Sequence, residues 1–150
     1  MHIFVDGDAF PNLLKPIVVR AVERLELPVV LVSNKKVSLG KSKRVTAHIV
    51  EAGADKADDL IVQMAEPGDL VITADIPLAD RVLEKGAHAI DHRGERYTKE
   101  NIKQYLTMRN LMEELRDGGV VTGGPAAFTK KDVHAFANTL NAFFTKHLKK

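Results

Sequence analysis

The chain has 150 residues, 45% of them hydrophobic, and a formal net charge of only +2. That is enough apolar material for a core and too much for a disordered tail, yet no stretch approaches the roughly 18 consecutive apolar residues of a membrane span. It has no cysteine, which excludes disulfides and thiolate metal sites and fits a reducing, cytoplasmic setting.

One compact domain is expected over residues 1–150, with a core of about 1–92 and a helical part of about 93–150. The first residues already read as a strand with no basic and apolar leader before them, so secretion is not expected. Residues 3–5 form a short buried strand. Pro11, placed where its missing N–H does no harm, predicts a helix over 11–26 with Val18, Val19, Val22 and Leu25 inward. Residues 29–32 make a continuous apolar second strand. A basic loop over 34–44 carries Lys35, Lys36, Lys41, Lys43 and Arg44. Residues 45–50 alternate and read as a third strand, at an edge. A helix over 56–65 stops at Pro67-Gly68, residues 70–74 are the fourth strand, Pro77 opens a helix to about 85, and 87–90 are the fifth strand.

The last third is helical. Thr98 is expected to cap a helix to about residue 116, with Ile102, Leu106, Met108, Leu111, Met112 and Leu115 as its apolar positions. A loop containing Gly123-Gly124-Pro125 follows, then Thr129-Lys130-Lys131-Asp132, which resembles a capping box. Val133, Phe136, Ala137, Leu140, Phe143 and Phe144 mark the inner face of the final helix, as core packing rather than a stacking platform for bases. Short apolar strands alternating with helices predict an α/β, three-layer architecture: a mainly parallel five-strand sheet with a C-terminal helical extension.

Ligands of such sheets bind beyond the carboxyl ends of the strands, where strand order reverses. Asp6 follows strand 1, Asp58 lies past strand 3 and Asp75 follows strand 4, so they converge on one rim if strand 1 lies between strands 2 and 4. Gathered carboxylates repel and raise one another's pKa, and a fold tolerates them mainly when a divalent cation holds them. The expectation is a Mg²⁺ or Mn²⁺ site with Asp6, Asp58 and Asp75 as the catalytic acids and Asp8 and Asp55 as further metal neighbours. The plainer reading makes the same acids turn-formers and helix starts. Lys35, Lys36, Lys41, Lys43, Arg44, Arg93 and Arg96 are the candidates for holding a nucleic-acid backbone; they equally suit a solvated loop and helix face. The six histidines are scattered along the chain, and a histidine zinc site is not expected; His92 falls nearest the rim.

Two enzyme groups share Asp-x-Asp after strand 1 and Asp after strand 4. In haloacid-dehalogenase-like phosphohydrolases the first Asp is a nucleophile, which here would be Asp6 with Asp8 as acid, although Ala9-Phe10 stands in place of that motif's Gly-Thr. The PIN-like nucleases bind divalent metal with acids matching Asp6, Asp58 and Asp75. Nearly the whole chain resembles the YaiI/YqxD family of bacterial proteins, placed near PIN domains and without an assigned activity. The resemblance is carried by Val5-Asp6-Gly7-Asp8-Ala9, Gly53-Ala54-Asp55-Lys56-Ala57-Asp58, the block Gly68-Asp69-Leu70-Val71-Ile72-Thr73-Ala74-Asp75-Ile76-Pro77-Leu78-Ala79, and Arg93-Gly94 followed by Tyr97-Thr98. Arg109, Arg116 and Gly123-Gly124-Pro125 also fit. It implies a PIN-like, Rossmann-like fold and, by analogy, a metal-dependent nuclease acting on RNA or another nucleic acid; a non-catalytic nucleic-acid-binding module remains the third reading. The family usually has cysteine before the proline at this point, where this chain has Phe10, so the thiol that any cysteine-dependent chemistry needs is missing.

Overall fold

Residues 3–5 (Ile-Phe-Val) sit at the centre of a sheet buried on both faces, and their alternation sorts the whole core. Ile3 and Val5 belong to one apolar cluster, Phe4 to the other, as the two-residue period of a strand requires. The computed structural model describes residues 1–53, 55–120 and 127–148; Ala54 and the Gly123-Gly124-Pro125 loop lie outside the described residues.

The elements run β1 (Ile3–Asp6), a 3-10 turn (Asn12–Leu14), α1 (Lys15–Leu25), β2 (Val29–Ser33), β3 (Val45–Ile49), α2 (Lys56–Met64), β4 (Leu70–Ile72), α3 (Ile76–Glu84), β5 (His88–Ile90), β6 (Arg96–Tyr97), α4 (Ile102–Asp117) and α5 (Lys130–His147). The sheet order is β3-β2-β1-β4-β5-β6. β1 to β5 pair in parallel and β6 returns antiparallel along β5. One face is covered by the 3-10 turn, α1 and α5, through Leu14, Val18, Val22, Phe136, Leu140 and Phe143. The other is covered by α2 and α3, through Ile61, Leu78, Val82 and Leu83, with Ile102 of α4 against the same cluster. The result is the expected three-layer α/β arrangement, including the C-terminal helix. No helix among the described residues is long and apolar enough to cross a membrane.

The departures from expectation each have a local cause. Pro16 lacks the N–H that an α-helix begun at Pro11 would need there and its ring would crowd the preceding turn; residues 12–14 therefore form a 3-10 turn, and Pro16 falls in the first turn of α1. A sixth strand, β6, was not expected because two residues carry no periodic signal. Thr98 does not cap α4 directly. Its N–H donates to Asn101 Oδ1 (2.8 Å) and its hydroxyl oxygen accepts from Asn101 N–H (3.1 Å), and this turn delays the helix to Ile102. Of the apolar α4 positions only Ile102 is buried, while Met108, Leu111 and Leu115 stay exposed. The Thr129–Asp132 capping box is formed.

Gly94 locks the C-terminal helix to the sheet. Its φ is +88°, and a Cβ there would lie 2.6 Å from the Ala135 backbone carbonyl; its own carbonyl accepts the Thr139 hydroxyl at 2.7 Å. Gly94→Ala meets both a left-handed penalty and a backbone clash. It is expected to lower the unfolding free energy by about 2 kcal/mol or more. Urea unfolding measures this, and a change near zero would show that the turn is not held against α5.

Candidate functional site

The carboxyl end of β1 leads into Asp6-Gly7-Asp8. Gly7 N–H donates to Val32 O at 2.8 Å, and a Cβ at Gly7 would sit 2.9 Å from Leu31 Cδ1 and 3.3 Å from Val32 O, so a larger residue would have to push Leu31 aside to keep the chain this close to the end of β2. Asp8 Oδ1 accepts Asn34 N–H at 2.7 Å. At the end of β4, the buried Thr73 hydroxyl donates to Asp6 Oδ2 (3.0 Å) while its oxygen accepts Asp75 N–H (3.0 Å). Asp75 in turn caps α3, its Oδ1 accepting Leu78 N–H at 2.9 Å. Asp58 lies in the first turn of α2; Asp55, just before that helix, is left-handed at φ 65° and makes no side-chain cap bond.

These five acids line one open cavity of about 300 Å³, with Asn34, Gly53 and Lys56 among its other walls. Burial and the charges of Asp8 and Asp75 raise the Asp6 pKa against the opposing Thr73 hydrogen bond, burial being the largest cause. Asp58 is pushed up to about 7, first by burial, then by Asp75, Asp6 and Asp55 and by a carboxyl–carboxyl hydrogen bond with Asp75. Near neutrality a proton on Asp58 relieves the repulsion that a cation would otherwise relieve. Among the described residues no three acidic or histidine side chains are posed to hold one ion in this arrangement. The donor chemistry nonetheless fits a hard ion of the Mg²⁺ or Mn²⁺ kind, since every candidate ligand is a carboxylate oxygen.

The basic residues divide. Lys35 and Lys36 leave the carboxyl end of β2 on the acid side, where Ser33 Oγ donates to Lys35 O at 2.6 Å. The loop then runs back to start β3 opposite Val29, so Lys41, Lys43 and Arg44 sit at the far rim, on the order of 13 Å down a strand. They line a separate cavity of about 940 Å³ with Glu23 and Pro28. Arg44 is held there between Glu23 (3.5 Å) and Glu26 (3.6 Å). Arg93 pairs with Asp132 at 2.8 Å and lies over the Phe128 ring. The Arg96 guanidinium sits 3.2 Å from His147 Nε2 and 3.4 Å from His88 Nδ1, over Phe143. Both arginines thus join the sheet edge to α5. His92 is buried edge-on to Phe10, and burial pushes its pKa down to about 4. Lys56 was missed in the sequence, though its place between Asp55 and Asp58 was the available signal.

The Asp58 shift has a thermodynamic consequence. A carboxyl whose folded pKa (about 7) exceeds its unfolded value (3.8) binds its proton more tightly when folded. Its contribution therefore weakens as pH rises from about 4 through 7. Without divalent metal, Asp58→Asn should leave stability nearly unchanged at pH 4 and raise it above wild type by pH 8, as read from melting curves in EDTA. A constant difference across that range would show that Asp58 is not shifted.

With the geometry in place, comparison with known proteins supplies the lineage. Residues 4–146 match the model of the uncharacterised bacterial YaiI/YqxD family. A UPF0178 protein of Sulfurovum sp. is 61% identical over 98% of this chain and 99% of its own length, and one of Sulfurimonas denitrificans is 62% identical over 99% and 98%. A UPF0178 protein of Photobacterium profundum is 51% identical over the full length of both chains. Among solved structures, the Legionella pneumophila homospermidine synthase in complex with NAD aligns with a TM-score of 0.49 and 13% identity, over 83% of this chain and 35% of that one. That likeness is too weak to bear on function. The family match and the near-complete relatives agree, and the chain belongs to the YaiI/YqxD (UPF0178) family.

Proposed function

We propose that the protein is a Mg²⁺- or Mn²⁺-dependent phosphodiesterase that cuts nucleic acid, RNA foremost, in the cytoplasm. The observation that carries this reading is the convergence of Asp6, Asp58 and Asp75, with Asp8 and Asp55, on one cavity at the strand-order reversal. Burial there, and then repulsion from Asp75, Asp6 and Asp55, raise Asp58 to about 7. Held by these carboxylates, a divalent ion would supply Lewis-acid polarisation of a phosphate and activation of a water. Thr73 fixes Asp6, and the α3 cap fixes Asp75, so two carboxylates are positioned in advance. Asp58 joins them by giving up the proton it shares with Asp75. Lys35 and Lys36, exposed beside the β2 end, and Lys56 in the cavity wall are the cations best placed to take a phosphate backbone.

Millimolar Mn²⁺ should raise the melting temperature of wild type, because an ion that binds only the folded state stabilises it. The double variant Asp6→Asn, Asp75→Asn should lose that rise. An unchanged wild-type melting temperature would count against the metal site. Purified protein with Mn²⁺ should cleave single-stranded RNA, and Asp75→Asn should suppress cleavage while keeping a cooperative unfolding transition. Cleavage that survives in Asp6→Asn and Asp75→Asn, and in EDTA, would belong to a contaminating ribonuclease. Phosphate trapped on Asp6 during hydrolysis of a small phosphomonoester would instead mark a dehalogenase-type phosphatase.

RNA binding should weaken with salt. Replacing Lys35 and Lys36 by alanine should reduce the log–log salt slope by roughly 0.7 per lost contact on a single strand. Salt-dependent binding without cleavage of either substrate class would make the protein a binding module.

A further inference from the structure

We infer that the last turns of α5 are clasped to the β5–β6 edge by a contact that holds only while His88 and His147 are both neutral, so that mild acid releases it. The contact centres on Arg96. One terminal guanidinium nitrogen lies 3.2 Å from His147 Nε2 and 3.4 Å from His88 Nδ1. An arginine carries only donors and keeps its charge, so each ring must turn a bare nitrogen toward it. That puts the His88 proton on Nε2 and the His147 proton on Nδ1. An imidazolium has no acceptor left, and would meet the guanidinium with a second positive charge.

Nothing beside the rings balances such a charge. From β5, β6 and α5 the groups acting on His88 are His147, Arg96 and Lys146, and those acting on His147 are Arg96 and Lys146. Among the described residues neither ring nor Arg96 pairs with a carboxylate. The two imidazoles are themselves close, their centroids 4.5 Å apart. Phe143 packs against both, at 5.1 Å and 4.4 Å, but Arg96 already lies over its ring at 5.4 Å. Burial first, and then these cations, hold both rings below the ordinary imidazole range.

The other end of α5 has an anchor of a different kind. Asp132 pairs with Arg93 at 2.8 Å, and the Thr139 hydroxyl donates to Gly94 O at 2.7 Å. Neither contact involves a histidine, so acid loosens one end of the helix and leaves the other docked. The sign follows from linkage. Rings held below their unfolded value of 6.5 favour the neutral, docked state, whose advantage is complete above that pH and declines as pH falls below it. Asp58 acts with the opposite sign in a neighbouring window, so a melting temperature would mix the two and the readout must be local. The clasp stands apart from the phosphodiesterase reading, and its test reads no activity.

Amide hydrogen exchange of the full chain, expressed as protection factors, tests it. Protection at residues 143–147 is expected to fall by about fivefold or more between about pH 7.5 and about pH 5, the scale of one lost hydrogen bond, while residues 132–139 keep theirs. The double variant His88→Gln, His147→Gln keeps a neutral acceptor for Arg96 at every pH, and should stay protected at 143–147 in acid. Ring nitrogen shifts of wild type at about pH 7.5 should place the His147 proton on Nδ1 and the His88 proton on Nε2, a reading that needs no variant. Protection at 143–147 that ignores pH overturns the inference. So does an equal loss along 132–139, a double variant that loosens as wild type does, or the opposite ring protons.

Discussion

The arrangement depends on β1 being held on both sides by parallel neighbours whose connections depart in opposite directions. Ile3 pairs with Val29 of β2 on one side and Leu70 of β4 on the other. The chain reaches β2 through α1 on one face and arrives at β4 through α2 on the other. The loops above β1 and β4 are thereby drawn apart and a crevice opens between them, as in other doubly wound sheets. Both ends of this central pair are pinned by polar side chains. At the lower end, buried Asp69 accepts the N–H groups of His2 and Glu66, both at 2.9 Å. At the upper end, Thr73 links Asp6 to Asp75. Distinctive residues crowd the block from 68 to 79 because the strand and both of its ends are built there. Gly68 turns at φ 90°, Asp69 pins, residues 70–72 form the strand, Thr73 bridges, Asp75 caps, and Pro77 opens the helix.

How much of the fold could be read in advance follows from where the physics is local. Apolar runs at 3–5, 29–32 and 70–74, and helices bounded by proline and glycine, are properties of a few neighbouring residues, and apart from the start of α1 the structure has them within a residue or two. The start of α1 differs from expectation because two prolines compete there, and Pro16 rather than Pro11 sets the first turn. β6 exists because Tyr97 pairs with Ala89 and packs its ring against Tyr105, a tertiary circumstance invisible in a dipeptide. The apolar positions of α4 were sound helix periodicity, but periodicity says which face is apolar and not what covers it.

The site was legible to a different degree. The acids at strand ends share one rim because a parallel sheet delivers every strand end there. Cations were harder, since a lysine or arginine takes whatever partner the folded chain brings. Arg93 and Arg96 went to Asp132, to two histidine rings and to the faces of Phe128 and Phe143. Arg44 went to two glutamates. The 34–44 loop is continuous in sequence and divided in space, because joining two parallel neighbours requires crossing the full height of the sheet.

The remaining question is what the acids do for the fold itself. Asp8 holds Asn34, Asp69 holds two backbone donors, Asp75 caps α3, and Asp59 pairs with Arg81 at 2.9 Å. For these the helix-start and turn readings suffice. Asp58 accepts from no backbone donor and pairs with no cation among the described residues. Its carboxyl is half-buried beside three other acids, which opposes ionisation and folding together. Asp55, left-handed and uncapping, adds to that repulsion rather than relieving it. Under the metal-dependent reading proposed above, the carboxylate that the fold needs least is the one whose penalty a bound cation would turn into binding energy.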